Sequence, residues 1–495
     1  MKSEEIRKKF IEYFKERGHT AVPSASLIPS DPTVLLTLAG MLPFKPIFLG
    51  IEKPKFKRAT SVQKCVRMND IENVGRTSRH HTFFEMLGNF SFGDYFKEDA
   101  IAFAWELLTK IFALPVERLA VAVYEKDDEA ADIWSRKFNI PANKLYRLSE
   151  ENNFWAAGPT GPCGPCSEIY YDYGPGYGCG KPGCDPSCDC ERWLEVWNLV
   201  FIQYNRDEAG KLNALPSKNI DTGMGLERIS RLLQNVETNF DTDLFVPIIE
   251  KLPKGEIISR RIVADHMRAA VYLIADGVLP GNEGRSYVLR RIIRRAALHG
   301  RKLGIKEIFL PKLAETVIDL GRSAYPEISS RSKSIIATLL AEEESFDLTL
   351  DTGMKLLNEM IDRHGKMIPG EEVFKLHDTY GFPVEMTREI ARDRGALIDE
   401  EGYKNAMEAQ RARAREASFV NEEVLKKIDV SKFPMTAFIG YDKNECDTKV
   451  LAVLADEKIV ILEKSPFYPA GGGQVGDTGI ISFNGKEMLV SNTFG

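Results

Sequence analysis

Behind Ser3, the apolar residues Ile6, Phe10, Tyr13 and Phe14 recur at helical spacing, so the chain is expected to open with an amphipathic helix. Extended patterns follow over 61–67, 81–92, 119–124, 168–173 and 194–204. The last alternates Val196, Asn198, Val200, Ile202 and Tyr204 on one face, the pattern of a central strand. These strands do not alternate regularly with helices, and no Gly-x-Gly-x-x-Gly opens a helix after a strand, which argues against a doubly wound dinucleotide fold. The expected class is α+β, with an antiparallel sheet flanked by helices over residues 1–250. Lys251-Leu252-Pro253-Lys254-Gly255 reads as a linker. From 259 to about 418 the periodicity is helical, as in Val263, Met267, Ala270, Val271 and Ile274, which places a helical domain at 256–430. Within it, the charged stretch 403–418 reads as a solvated helix. Beyond 431 strands return: 449–454 with 459–462, and 480–483 with 488–490 across the hairpin signal Asn484-Gly485. Residues 431–495 are few for a module with its own core and are expected to be the start of a further domain, truncated at Gly495.

Composition narrows the class. The 495 residues are 43% hydrophobic and 28% charged, enough for several cores. Lys and Arg number 66 against 72 Asp and Glu, a net charge of −6. A uniformly basic nucleic-acid wrapper is therefore excluded, but a local basic face is not. No apolar run approaches the ~18 residues of a membrane span, and the charged start is not a signal peptide, so no membrane role is expected and cytoplasmic location is the default. Eight Cys in this length do not make a disulfide scaffold.

Two segments carry candidate chemistry. Asp221-Thr222-Gly223-Met224-Gly225-Leu226-Glu227-Arg228 leads from extended structure into a helix with Leu226, Ile229, Leu232, Leu233 and Val236 on its apolar side. Glycines at a helix start admit a bound group close to backbone, Arg228 offers a planar cation for a base or a phosphate, and Asp221 could hold an ammonium. A plain turn would give the same pattern. Arg67, a polar loop to Arg79, and then His80-His81-Thr82-Phe83-Phe84-Glu85-Met86 read as strand, loop and returning strand. Arg67, His80 and an aromatic ring there could cradle a nucleoside triphosphate; alternatively Phe83, Phe84 and Met86 are core and the histidines are packed.

The long motifs at 79–96 (Arg-His-His-Thr-Phe-Phe-Glu-Met-Leu-Gly-Asn-Phe-Ser-Phe-Gly-Asp-Tyr-Phe), 158–168 (Gly-Pro-Thr-Gly-Pro-Cys-Gly-Pro-Cys-Ser-Glu), 221–228, 287–296 (Tyr-Val-Leu-Arg-Arg-Ile-Ile-Arg-Arg-Ala) and 378–383 (Asp-Thr-Tyr-Gly-Phe-Pro) resemble those of the alanyl-tRNA synthetase family, one of the class II aminoacyl-tRNA synthetases. They occur in order over almost the whole chain. The resemblance implies a class II catalytic domain of six to seven antiparallel strands, then a helical tRNA-recognition domain. It implies ATP, Mg²⁺, L-alanine and the acceptor stem of tRNA(Ala) as ligands, and no protein partner is evident. It assigns Arg67 to the α-phosphate and the alanine carboxylate. His80, as a positive residue, and the Phe84 ring go to the triphosphate tail and adenine, and Gly225 and Arg228 to the other face of the nucleotide. Asp221 falls to the alanine amino group, and Met86, Trp155, Asn198, Val200 and Gly223 to the amino-acid pocket. Glu195 is assigned to Mg²⁺ or ATP. Asn282 is expected to read the acceptor stem, with Glu385 as a further tRNA contact.

Two departures stand out. Many relatives have a longer Gly-rich loop with a lysine after Arg67, where this chain runs to Met68-Asn69-Asp70, so whatever that lysine does for ATP must be done otherwise, or by Arg76 or Arg79. Glu385 stands where relatives often have Asp. The family's downstream editing motif of metal-ligand histidines is absent, so this chain is expected to charge tRNA but not to edit.

On a helical wheel of 287–302, Arg290, Arg291, Arg294, Arg295, Arg301 and Lys302 fall within roughly 140°. They lie opposite Leu289, Ile292, Ile293, Ala296 and Ala297, with no acid among them. That stripe suits RNA phosphates; a solvated face is the plainer alternative. In the Gly/Pro-rich loop 174–192, Cys179, Cys184, Cys188 and Cys190 could surround one structural Zn²⁺, with free thiols and disulfides left open. Cys163 and Cys166 belong to the family motif, where a tight turn near the substrate is expected; Cys65 and Cys446 read as buried thiols. The rival readings are a non-catalytic RNA-binding relative and a class II ligase for serine or glycine.

Overall fold

The computed structural model describes residues 1–410, 433–440, 443–454, 459–469, 477–491 and 493. Helix α1 (Ser3–Lys15) buries Ile6, Phe10, Tyr13 and Phe14, and both phenylalanines pack on Trp197. Among the described residues, nine strands form one sheet. They are β1 (Thr20–Ala21), β2 (Arg58–Val66), β3 (Phe83–Phe92), β4 (Leu119–Tyr124), β5 (Leu145–Leu148), β6 (Phe154–Ala156), β7 (Gly161–Asp172), β8 (Trp193–Arg206) and β9 (Leu212–Gly225). Their spatial order is β1-β2-β3-β9-β8-β7-β4-β5, with β6 against β7.

The centre is antiparallel, as expected, but the two edges are not: β1 runs parallel to β2 and β5 parallel to β4. Each parallel pair is separated by a long connection, helical over Asp128–Lys137 in the second case, and parallel neighbours need such crossovers. The strand count exceeds six to seven because β1 and β6 add short pieces of two and three residues.

β7 corrects one expectation. The segment Gly161–Cys166 is strand, not a tight turn. A Cβ on Gly164 would run into the Phe201 carbonyl of β8, so this glycine serves close strand approach. Pro165 has no N–H to donate, and the β7–β8 register shifts between Cys163 and Cys166, around it. Cys65, Cys163 and Cys166 are buried, whereas Cys446 is only partly so, against expectation.

Helices cover the sheet: α2 (Lys97–Glu106), α3 (Leu226–Gln234), α4 (Ile257–Ala275), α5 (Gly284–Lys302), α6 (Leu310–Gly321) and α7 (Ser332–His364). α3 grows directly out of β9 and stops at Asn235, whose φ of 52° is the left-handed helix terminator. α4 is buried along nearly its whole length because it packs on both β3 and α5; Phe83 of β3 stacks on Tyr272 at 4.2 Å.

Between α1, β3 and α4 lies a buried ionic network. Glu85 accepts from Arg7 Nε (2.7 Å) and Nη2 (2.6 Å) and from the Tyr325 hydroxyl (2.9 Å), while Arg268 reaches Glu227 at 2.9 Å and Glu85 at 3.5 Å. Burial works to raise the Glu85 carboxyl, but Arg7 outweighs it and holds it below the ordinary value.

Packing divides the chain into two compact units: Met1–Glu359 with Thr379–Thr387, and Met360–Asp378 with Arg388–Gly495. The first contains the sheet and α1–α6. In the second, Met367–Ile368 pairs parallel with Leu397–Ile398. The hairpin Gly479–Phe483/Lys486–Val490 turns through Asn484 (φ 49°) and Gly485 (φ 73°), the positive-φ pair that an Asn-Gly hairpin demands. Of the helix expected over 403–418, residues up to 410 are helical and 411–418 lie outside the described residues.

Candidate active site

The register of the central strands stacks polar residues on one face. Glu168, Asn198 and Gly223 form one row across β7, β8 and β9; Cys166, Val200 and Asp221 form the next; Met86 faces Gly225 across β3 and β9. Side chains two apart on a strand share a face, and all of these except Cys166, which is buried in the adjoining apolar cluster, line one cleft, a cavity of about 250 Å³. Phe83 points the other way and is core, whereas Phe84 and Met86 line the cleft, which resolves the two readings of that segment. Every residue that the resemblance assigns to ATP or alanine lines this one cavity.

Asp221 sits at its base, buried, with Oδ1 lacking any hydrogen-bond partner. Desolvation alone pushes its carboxyl up to about 7. Beside it, Asn198 donates from Nδ2 to Glu168 Oε1 at 2.6 Å, and its own Oδ1 is also buried without a partner. Glu168 takes a second bond from the Tyr170 hydroxyl at 2.5 Å. Burial and then the charge of Glu195 raise Glu168 to about 8. Glu168 was visible in the sequence only as the end of a motif; its role as the anchor of Asn198 depends on the β7–β8 register, which no local pattern reveals. A Cβ on Gly223 would lie 2.8 Å from Met86 Sδ, so glycine is what leaves room for that thioether.

Around the rim, Arg67 donates from Nε to the Leu38 carbonyl (3.1 Å) and lies 5.1 Å from the Phe84 ring centre. Arg228 donates from Nη1 to the Glu195 carbonyl and carboxylate at 2.9 and 2.8 Å. His80 departs from its expected positive charge: burial first, then Arg228 and Arg79, lower its proton affinity against the pull of Asp70. Of the two substitutes for the absent loop lysine, Arg79 lines the cavity and Arg76 does not. Asp70, Glu227 and Ala39 also line it and had no sequence signal of their own.

A cleft lined by carboxylates and by the guanidinium groups of Arg67, Arg79 and Arg228 on an antiparallel sheet now has a context, because a profile described as tRNA synthetases class II (A) matches residues 5–495. The chain belongs to this family. Among curated relatives, it is 50% identical to the alanine–tRNA ligase of Nitrosospira multiformis, over 99% of this chain and 58% of that protein. It is 49% identical to that of Synechococcus elongatus (99% and 58%) and 48% identical to that of Idiomarina loihiensis (100% and 59%). The chain thus spans under two thirds of the length of these relatives.

In this chain the basic stripe is not the open face that the wheel suggested. Arg290 and Arg294 donate from Nε to Glu342 Oε1 of α7 (3.1 and 2.7 Å), Arg291 bonds Glu72 (3.1 Å) and lies 4.0 Å from Glu385, and Arg301 pairs with Asp347. Arg295 is 2% exposed, so its expected contact with RNA phosphate is corrected: it faces inward. Asn282 is exposed and accepts from Arg290, and Glu385 accepts from the Tyr287 hydroxyl at 2.9 Å.

The cysteine loop has gathered its thiols. The sulfurs of Cys179, Cys184 and Cys188 all lie within 4.8 Å of one another, and Cys184 Sγ is 3.8 Å from Cys190 Sγ. Desolvation is the largest single influence and works to raise the Cys184 thiol, but hydrogen bonds from Cys179, Trp193 and Cys190 together outweigh it and hold the thiol at about 7. Arg79 ties this loop to the cleft, donating to the Cys190 carbonyl (2.8 Å) and Asp189 (2.5 Å).

Proposed function

We propose that this chain is the aminoacylating part of an alanine–tRNA ligase, acting in the cytoplasm. Residues 1–250 would activate alanine, 256–430 recognise the acceptor stem of tRNA(Ala), and 431–495 open a following domain. One observation carries the reading: the buried, unpartnered carboxylate oxygen of Asp221 at the base of the cleft, beside Met86, Trp155 and Val200. Such a carboxylate fits a small ammonium ligand, since a buried charge needs a partner and little apolar room remains for a side chain.

In the first step, an alanine carboxylate oxygen bonds to the α-phosphorus of ATP and pyrophosphate leaves with the electrons of the broken P–O bond. In the second, a terminal hydroxyl of tRNA bonds to the activated carbonyl and AMP leaves. Asp221 and Asn198 orient the amino acid through their acceptor oxygens. Arg67 and Arg228 hold fixed positive charge where negative charge crowds, and this preorganised field with positioning supplies the rate. The donor set fits Mg²⁺, because Glu195 and Glu168 offer hard oxygen ligands whose mutual repulsion a divalent cation would relieve. Mg²⁺ there would supply charge neutralisation at the phosphates.

Pyrophosphate–ATP exchange without tRNA tests the reading. Alanine should support exchange, with weaker signals from serine and glycine, because a hydroxyl or a methyl is worth only about 1–3 kcal/mol in a small pocket. Exchange with none of the three by a folded chain would leave the RNA-binding relative as the better reading.

The thiol cluster fits Zn²⁺, since three sulfurs in a loop with little core are already in mutual reach, Cys190 lies close to one of them, and Cys184 is held at low proton affinity. Cys179, Cys184, Cys188 and Cys190 would hold the ion as a structural staple. Elemental analysis should find about one zinc per chain, with Cys184→Ser losing it and melting lower. A zinc-free chain whose melting is insensitive to chelator would rule the ion out.

A further inference from the structure

Two arginines of the α5 stripe reach back to the segment between Arg67 and β3, which presents Arg79 and His80 to the cleft. Arg295 donates from Nη1 to the Ile71 carbonyl at 3.0 Å and lies at the same distance from His266 Nε2. His266 Nδ1 is 3.0 Å from Asp265 Oδ2. Asp265 in turn accepts the Thr82 backbone N–H on both oxygens, at 3.0 and 3.1 Å, and lies 3.2 Å from His81 Nδ1. Asn239 continues the chain, close to His81 Nε2 (2.9 Å) and donating to the Arg79 carbonyl (3.3 Å). The segment is thus held at Ile71 and again at Arg79–Thr82 by side chains from α4, α5 and Asn239. Its middle is pressed on α4 as well: a Cβ on Gly75 (φ 81°) would come 2.9 Å from the Ile258 carbonyl oxygen.

We propose that Arg295, with the buried Asp265–His266 pair, is a positioning residue for alanine activation that fixes residues 71–82 and so sets Arg79 and His80 at the nucleotide. The proposal rests on the adenylation reading above. An arginine this buried could meet an RNA phosphate only by abandoning the carbonyl and imidazole it now bridges. One guanidinium nitrogen, Nη1, meets both at once, and the rigid planar group fixes its position as a lysine ammonium on a flexible stem does not. His266 can serve as the neutral link because burial, the largest influence, lowers it to about 4. The shortness of the loop makes such support necessary: with no lysine after Arg67, the cation at the triphosphate end is Arg79, and a small shift of its backbone moves it off target.

Arg295→Lys and Arg295→Gln separate positioning from RNA binding. Kinetics of alanine-dependent pyrophosphate exchange should show the ATP KM rising about fivefold or more in both, with the alanine KM within about twofold. Affinity for tRNA(Ala) and its salt dependence should stay as in the parent. Restoration of the parental ATP KM by lysine, or a tRNA salt slope reduced by about 0.7–0.9 with ATP kinetics unchanged, would make Arg295 a phosphate ligand and overturn the proposal. Glu72→Gln, at a half-exposed site, releases the Arg291 tether without a core change and should raise the ATP KM about two- to threefold in the same direction. No rise there, together with misfolding of both Arg295 variants, counts against the proposal. If the parent itself gives no exchange, the adenylation reading fails on its own. Amide hydrogen exchange then decides the positioning role: faster exchange confined to 71–82 in Arg295→Lys supports it, and unchanged exchange overturns it.

Discussion

Asp221→Asn is expected to cripple alanine activation while making the protein more stable. The lost carboxylate leaves the amino-acid ammonium without its charge partner in a dry site, which should cost about 10²–10³-fold in kcat/KM for alanine. The gain in stability follows from proton linkage. Asp221 titrates at about 7 in the fold, against an ordinary value of 3.8 in the unfolded chain. Between those values the folded state holds a proton that the unfolded chain has released, so stability falls as pH rises and stays reduced above about 7. Asparagine escapes that penalty, and at pH 8 the variant should gain about 2–4 kcal/mol, read as a higher melting temperature. The same titration gives the parent a signature: its alanine KM should fall as pH rises towards about 7 and level off above it, because only the ionised carboxylate pairs with ammonium. An unchanged KM in Asp221→Asn would remove Asp221 from the site.

The second large effect lies behind the sheet. Glu85→Gln keeps the shape but removes the charge between Arg7 and Arg268, at a position with 0% exposure. Breaking one member of a buried ionic network leaves guanidinium groups short of a partner and should cost about 3–5 kcal/mol of unfolding free energy. Because Glu85 is held below the ordinary carboxylate value, this contribution is complete above that range and is lost only as the pH falls below it. Urea unfolding at pH 7.5 measures the loss, which should vary little with salt since the pairs are shielded from ions. A cost under about 1 kcal/mol would mean that the network is incidental to stability.

Local pattern carried the elements well where burial is one-sided. The α1 stripe and the alternation in β8 follow from a period that the core enforces, and the Asn-Gly hairpin follows from its turn residues. The cleft residues were legible as motifs, but their grouping at one cavity depends on register between strands far apart in sequence. Glu168 and Asn198 meet only because β7 and β8 pair as they do. The short strands β1, β5 and β6 were missed because two to four residues have no measurable period. The α5 stripe misled for a different reason. A wheel sees only the acids on its own helix, whereas Glu342 and Glu72 arrive from 52 and 219 residues away. Arg295 shares its side of the wheel with surface arginines, and only the position of the 71–82 segment turns it into an interior residue.

The long reach of these contacts has a consequence for how the protein is made. Glu85 waits for Arg268 and for Tyr325, 240 residues downstream, and the cleft loop waits for Arg295, 224 residues beyond Ile71. At ribosomal speeds of about 5–20 residues per second, roughly 12–48 s pass between the addition of Glu85 and that of Tyr325. Throughout that interval the nascent sheet carries Arg7 facing a lone carboxylate and a nucleotide loop with no floor beneath it. The amino-terminal half therefore emerges without the full set of partners for its buried charges, and on the adenylation reading proposed above a ribosome stalled in this window would display an inactive intermediate.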